Sequence, residues 1–200
     1  MIIKNLIIIL VFAIISVAGR TANAQNRTAS SSAGLYLTAS DFEQQKLSYA
    51  IDCSNGNDKI KTNEFFGSPS GYVITKGEKH EFSKKDVYGY RNCKSKNYRF
   101  YNGEAYLLVD TAGFYIYYQY RLEENVKGKS LIKKDAYFFS KTPTGDLQLL
   151  TIDNLKSTFA ANSSFRYALD ANFRSDKDLL AYDSFGKYYK VKYLFKQQVK

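Results

Sequence analysis

The chain holds few of the side chains that perform nucleophilic or metal chemistry. His80 is its only histidine, so a Ser-His-Asp or Cys-His nucleophile system would have to use it. It stands in the polar stretch 76–81, which is typical of an exposed turn. The same count excludes a metal site made of several histidines, and no glycine-rich loop of the kind that cradles phosphate is present.

Acidic residues offer pairs without a decisive spacing. Asp52, Asp58, Glu64 and Asp110 could supply the two carboxylates of a glycosidase, but a sequence does not fix the separation on which that mechanism depends. Asp52 and Asp58, which flank residues 55–57, lack the spacing of a calcium loop. The sequence therefore predicts no catalytic residues, no metal ligands and no cofactor.

The only two cysteines, Cys53 and Cys93, can form one disulfide. They lack the CxxC spacing of redox and metal sites, and an oxidising compartment favours a bond between them. On the chain-entropy model, closing a loop of this length stabilises the folded state by roughly 4 kcal/mol. We predict a disulfide-bonded protein.

Tyrosines and basic residues recur on the presumed outward faces of the predicted strands. Tyr115, Tyr117, Arg121 and Arg99 are the candidate ligand-binding face, because aromatic rings flanked by cations can stack on sugars and attract anionic groups. Two structural readings stand beside it. Cross-strand tyrosines stabilise a sheet without any ligand, or C-terminal helices cover this face and make it core. The wider outward set also includes Tyr88, Tyr90, Arg91, Tyr101 and Tyr137.

Most of the chain has the pattern of antiparallel strands. Residues 34–150 are rich in Tyr, Phe, Val and Ile, and Gly, Asn and Ser interrupt them at short intervals. Asn102 and Gly103, between strands at 98–101 and 105–110, predict a type I′ hairpin turn. Further strands are predicted at 47–52, 71–75, 87–91, 114–122 and 135–141.

After residue 150 the spacing of apolar residues changes toward a helical period. Thr151 or Asp153 can cap a first helix, an apolar stripe over 165–173 predicts a second, and a third short helix begins near Ser175. Residues 187–200 fit a strand or a helix, and the helix is slightly favoured. The sequence thus predicts an α+β fold: an antiparallel β-sheet (a meander) followed by a C-terminal segment of two to four short helices.

The first 24 residues have the three regions of a secretory signal peptide: Lys4, an apolar run over 6–17, and small residues at 22–24. The run is shorter than the roughly 18 residues that a membrane-spanning helix needs, so we predict cleavage before Gln25 and no transmembrane anchor afterwards. The predicted organisation is a signal peptide (1–24), a disordered lead-in (25–33), a β-rich domain (34–150) and a C-terminal helical segment packed on it (151–200).

Export would leave a basic protein. Loss of Lys4 and Arg20 with the signal peptide lowers the formal net charge from +10 to +8. Such a charge keeps an exported protein soluble and attracts anionic partners, of which an anionic glycan or envelope component is the expected class. No dense Lys/Arg cluster marks a nucleic-acid groove, so nucleic acid is not expected as a partner.

Several segments resemble a loosely defined group of bacterial exported proteins of unknown function. The resembling residues are the opening Gly34-Leu35-Tyr36-Leu37-Thr38-Ala39-Ser40-Asp41-Phe42, then Tyr137-Phe138-Phe139-Ser140, Leu149-Leu150-Thr151 with Asn154-Leu155 and Phe159, and Leu179 with Tyr182-Asp183. The resemblance implies export, to the periplasm or the extracellular space. It implies no activity, cofactor or catalytic residue.

These observations favour a non-enzymatic binding or structural module of the cell envelope or secreted fraction, because the exported part is well patterned and has no assembled catalytic set. The alternative is a hydrolase acting on envelope or extracellular polymers. That alternative depends on His80, the only histidine available as a general base.

Overall fold

Strands dominate the protein. The computed structural model describes residues 32–63, 67–124 and 131–198, with the backbone alone for 121–124 and 131–133. The predicted signal peptide and most of the predicted lead-in lie outside that part. The strands are β1 (Ser32–Tyr36), β2 (Ser48–Asp52), β3 (Lys59–Lys61), β4 (Ser70–Thr75), β5 (Glu78–Ser83), β6 (Gly89–Arg91), β7 (Asn97–Tyr101), β8 (Glu104–Asp110), β9 (Tyr115–Glu124), β10 (Leu131–Ser140), β11 (Gln148–Leu149), β12 (Tyr182–Asp183) and β13 (Tyr188–Tyr189).

Eight strands form one antiparallel sheet in the order β11-β10-β9-β8-β7-β6-β1-β2. Strands β6 to β11 follow each other in chain order, which is the meander expected from the sequence. β1 begins at Ser32, and Ala33 is buried opposite Ile51 of β2. Ser32 and Ala33 are therefore part of the sheet, and the prediction of disorder for these two residues is wrong.

The hairpin between β7 and β8 has the predicted turn. Asn102 and Gly103 take φ values of 51° and 81°, and Tyr101 pairs with Glu104 on either side of them. Positive φ at both central residues is the requirement of a type I′ turn, which asparagine and glycine meet at low steric cost.

A second, three-stranded sheet consists of β3, β4 and β5 with β4 in the centre. Val73 of β4 is fully buried and packs in one cluster with Leu35 and Phe100 of the large sheet, and Ile60 and Phe82 are half-buried against that cluster. The sequence predicts only β4. β3 and β5 were missed because their residues are mostly polar and their faces are largely exposed.

The helices lie mainly after residue 150, as predicted. The Thr151 hydroxyl accepts a hydrogen bond from Asn154 N, and the Asn162 side chain accepts one from Phe165 N, so each caps the helix that follows. None of the described helices is long and apolar enough to cross a membrane. The helices are α1 (Ala39–Glu43), α2 (Ile152–Thr158), α3 (Ser163–Asn172), a 3-10 helix (Asp176–Leu180) and α4 (Lys190–Gln198).

The segment predicted as either strand or helix contains both. Tyr188 and Tyr189 form β13, which pairs with β12, and the chain then enters α4 at Lys190. The alternating tyrosines serve the short strand, whereas Val191 and Phe195 pack toward the core from one side of the helix.

The C-terminal helices cover one half of the large sheet. Leu155, Phe165 and Leu169 from α2 and α3 are buried together with Phe114, Ile116 and Phe139 from β9, β10 and the residue before β9. The protein is thus α+β, with a large antiparallel sheet and short, mostly C-terminal helices. Its large sheet has one face divided between the helices and the three-stranded sheet.

Candidate functional site

The middle of the predicted ligand-binding face is buried in the protein. Tyr117 is fully buried and Arg99 is 6% exposed. The alternation predicted for β9 is correct, because Tyr115 and Tyr117 lie on one face of the sheet and Phe114 and Ile116 on the other. The expectation that the tyrosine face is wet is wrong for Tyr117 and Arg99.

The cover comes from a different part of the chain than the sequence suggested. The C-terminal helices pack on the Phe114 face, whereas the Tyr117 face meets α1 and the loop after β10. Tyr115 Oη donates to Glu43 Oε1 over 3.4 Å, and Tyr88 Oη donates to the Pro143 carbonyl over 3.0 Å. Burial raises the pKa of both tyrosines above the ordinary value.

Arg99 is held among tyrosine rings. Its guanidinium lies 5.2 Å from the ring centre of Tyr101, 5.7 Å from that of Tyr88 and 5.8 Å from that of Tyr117. Nη1 donates to the Gly145 carbonyl over 2.8 Å. No carboxylate of the described residues forms an ion pair with it, so ring faces and a carbonyl solvate this charge. Arg99 therefore fastens the loop after β10 onto the sheet.

The wider tyrosine set is split between the two faces of the sheet. Tyr90 stacks on Tyr98 at 4.7 Å, on the face that meets the three-stranded sheet. Tyr137 pairs with Tyr118 across β9 and β10 and packs against the helical core. The prediction that Tyr90 and Tyr137 belong to the outward face is wrong, because the pairing register places both on the opposite face of the sheet from Tyr117. The side chain of Arg121 lies outside the described part of the protein.

The two cysteines form the predicted disulfide. Cys53 and Cys93 have Cα atoms 5.5 Å apart and are bonded through their sulfur atoms. Cys53 follows β2 and Cys93 lies in the turn between β6 and β7, so the bond crosses β1, which separates these strands.

The acidic candidates take local structural partners. Asp52 accepts hydrogen bonds from the Ser54 backbone and hydroxyl, which lower its pKa, and Asp58 accepts one from Lys76 N. Asp110 lies beside Lys192, and Glu64 is outside the described residues. No cluster of three or more acidic, histidine or cysteine side chains suited to a metal occurs among the residues that the structure describes.

His80 lies in a cleft between the two sheets. Its ring is 4.7 Å from that of Tyr49, and Nε2 is 3.7 Å from Glu78 Oε2. Tyr49 has a φ of 48°, a left-handed conformation that costs energy for an aromatic residue. Thr75 also lines this cleft of about 350 Å³ but donates its hydroxyl hydrogen to the Ala50 carbonyl.

A larger cleft lies at the end of the large sheet, beside α1. It has a volume of about 500 Å³ and is formed by residues 37–39, 84–88 and 102–103 with Phe100 and Thr144. Thr38 builds its edge: its hydroxyl accepts from Asp41 N and the Asp41 carboxylate accepts from Thr38 N, a capping box that starts α1. We call this the Lys84 cleft.

Lys84 gives the Lys84 cleft a buried cation. The residue is only 3% exposed, and its Nζ lies 6.0 Å from the ring centre of Phe100. Nζ has no hydrogen bond or ion pair with any residue that the structure describes, yet it is not among the polar atoms sealed from solvent. The aliphatic stem is thus packed into the protein, and the ammonium tip opens into the cleft.

The rest of the lining suits an anion with an apolar side. Lys85 adds a second ammonium, and Asp86 is the one acid among the described residues that line the cleft. Tyr88 and Phe100 supply aromatic walls, and Tyr88 is fixed by its bond to Pro143. Such a cleft can offer charge, hydrogen-bond donors and a ring surface to one ligand.

Sequence reasoning missed Lys84. It stands in the polar stretch 83–86, which indicates an exposed connection between strands. Its burial follows from packing at the junction of the two sheets, where Lys84 N donates to the Pro69 carbonyl. No periodicity in the local sequence signals that junction.

Comparison with protein-family models, curated proteins and solved structures gives no match for this chain. The candidate sites therefore rest on their own geometry.

Proposed function

We propose that this chain acts after export as a non-enzymatic binding module of the cell envelope or secreted fraction, and that it takes an anionic ligand, such as an acidic glycan, in the Lys84 cleft. Export is supported by the signal-like first 24 residues and by the resemblance to bacterial exported proteins. A disulfide is compatible with it.

The observation that carries the binding proposal is the ammonium of Lys84. A lysine buried to 97% of its surface usually pairs its ammonium with an acceptor of the protein. Here no described residue supplies that acceptor, and the ammonium is not sealed from solvent, so water in the cleft solvates it. A carboxylate or phosphate seated in the cleft would supply the acceptor.

Replacing Lys84 by methionine tests this proposal. Lys84→Met keeps the packed stem and removes the charge, so we expect the affinity for glucuronate-containing oligosaccharides to fall by roughly tenfold or more. Titration calorimetry against these sugars and against their neutral glucose counterparts measures the effect. Circular dichroism confirms that the variant remains folded.

Lys94→Met is the matched control, because Lys94 is an exposed lysine in the turn between β6 and β7 and does not line the cleft. It should bind like the parent protein. Equal affinity of Lys84→Met and the parent, or equal binding of acidic and neutral sugars, would contradict the proposal.

The second candidate function is the hydrolase, favoured by the contacts of His80. The Glu78 carboxylate lies near Nε2, and strained Tyr49 covers the ring, so His80 is oriented in a cleft. Against it, no described serine or threonine hydroxyl is hydrogen-bonded to this histidine. If it is correct, turnover of a polymer substrate should disappear in His80→Gln and persist in Lys84→Met; a protein that has no such turnover rules it out.

A further inference from the structure

The hairpin of β12 and β13 presents one aromatic side chain to solvent almost completely. Phe185, at its tip, is 98% exposed, more than any other large apolar side chain among the described residues. Exposed phenylalanine is unfavourable in water, and a single projecting ring is a feature that binding surfaces use.

The backbone of the tip is fixed. Asp183 Oδ1 accepts hydrogen bonds from Phe185 N and Gly186 N, both over 2.9 Å, and these bonds lower the pKa of Asp183. A Cβ on Gly186 would lie 2.2 Å from the Tyr188 ring, so this ring packs closely over the turn. Lys190 N closes the base of the hairpin by donating to the Ala181 carbonyl. Phe185 is thus held outward by an ordered turn.

Amphipathic rings surround the hairpin. Tyr182 is 5.0 Å from Tyr189 in an edge-on arrangement, and Tyr188 stacks on Tyr193 of α4 at 4.9 Å. Tyr182 and Tyr193 are also exposed. Tyrosine rings with one apolar and one polar end are favoured at the boundary between water and lipid.

Positive charge accompanies these rings. Lys187 lies in the turn itself with its side chain exposed, and Lys190 and Lys196 are exposed on α4. The one acid of the turn, Asp183, is engaged by backbone N–H groups. The protein is also basic, with a formal charge of +10 for the full chain and +8 without the first 24 residues. The hairpin therefore joins an insertable ring to a basic surrounding.

We propose that the β12–β13 hairpin docks the protein onto an anionic lipid surface, with Phe185 entering the acyl boundary and Lys187 contacting headgroups. Charge complementarity favours this occupant, because acidic lipids attract clustered lysines. The tip is convex, so a protein partner would need a matching hole, whereas a bilayer interface accepts a projecting ring. This inference does not depend on the Lys84 cleft.

The absence of tryptophan from the sequence makes a direct test possible. The Phe185→Trp variant is mixed with vesicles of phosphatidylcholine alone or of an equal mixture of phosphatidylcholine and phosphatidylglycerol. We expect a blue shift of the new indole fluorescence, and its quenching by acyl-chain quenchers, with the anionic vesicles. Tyr167→Trp, which places the reporter on exposed α3, should show neither.

Vesicle cosedimentation measures the contribution of the ring and the charge. Phe185→Ser should lower binding to the anionic vesicles roughly tenfold, Lys187→Ser should reduce the preference for phosphatidylglycerol, and Tyr167→Ser should bind like the parent. Unchanged binding of Phe185→Ser, no blue shift in Phe185→Trp, or equal binding to both vesicle types would overturn the proposal. So would self-association through Phe185 in the absence of lipid.

Discussion

Replacing Cys53 and Cys93 by alanine is expected to lower the free energy of unfolding by about 4 kcal/mol. The disulfide links residues separated by 40 positions, and without it the unfolded chain regains the freedom that this closed loop removes. Urea titration of the double variant and of the oxidised parent, followed by circular dichroism, measures the difference.

The position of the bond adds a native-state reason for a large effect. β2 is an edge strand of the large sheet, and the disulfide holds its end to the turn after β6, across β1. Reducing the parent with dithiothreitol should reproduce the loss, while the same treatment should leave the double variant unchanged. A loss smaller than about 1 kcal/mol would contradict the expected contribution.

The sequence predicts those parts of the fold that depend on neighbouring residues. The meander from β6 to β10 rests on alternation and on the Asn102-Gly103 turn, and α2 on the Thr151 cap. The sequence analysis predicts no strand at β1. One reason is that its first residues, Ser32 and Ala33, are small and continue a polar lead-in. Ala33 is buried because distant strands flank it.

The candidate sites were less predictable, because burial of a charge depends on contacts far away in sequence. Arg99 meets a carbonyl 46 positions later, and Lys192 meets one 78 positions earlier. Both residues are ordinary basic positions in an alternating or helical pattern. Lys84 is a third such case. The sequence shows that the protein is basic, but not which cations the fold buries.

These three buried cations do different things. Arg99 and Lys192 donate to backbone carbonyls and so fasten a loop and a helix to the sheet. Lys84 has a similarly small exposed surface but no such partner among the described residues. Because of that difference we propose a binding role for Lys84 and structural roles for the other two.

Lys192 supports the second prediction with a large effect, a contribution of this residue to stability that rises from pH 8 to pH 10. The residue is 3% exposed, and its Nζ donates hydrogen bonds to the Phe114 and Ala112 carbonyls. Nζ also lies 3.4 Å from Asp110 Oδ1 and 3.7 Å from the centre of the Phe114 ring. Burial lowers its pKa from 10.5 to about 8, and the attraction of Asp110 offsets only part of this decrease.

The sign follows from proton binding. Between pH 8 and pH 10 the unfolded chain keeps a proton on Lys192 that the folded protein has largely released, so the unfolded state binds more protons and the stability rises with pH. The gain is about 2 kcal/mol over this interval. From about pH 9 this gain is opposed by tyrosines such as Tyr88 and Tyr118, whose pKa is raised in the folded protein, because they ionise first in the unfolded chain.

Urea titrations at pH 8, 9 and 10 measure this rise in the parent and in two variants. Lys192→Met removes the titrating group while keeping the stem, so the stability of the parent relative to this variant should increase by about 2 kcal/mol across the interval, and the titration of the tyrosines cancels in the difference. Lys196→Met, on the exposed part of the same helix, should retain the full rise. A difference in stability between the parent and Lys192→Met that stays constant or shrinks from pH 8 to pH 10 would show that this ammonium is not the group whose charge the fold disfavours.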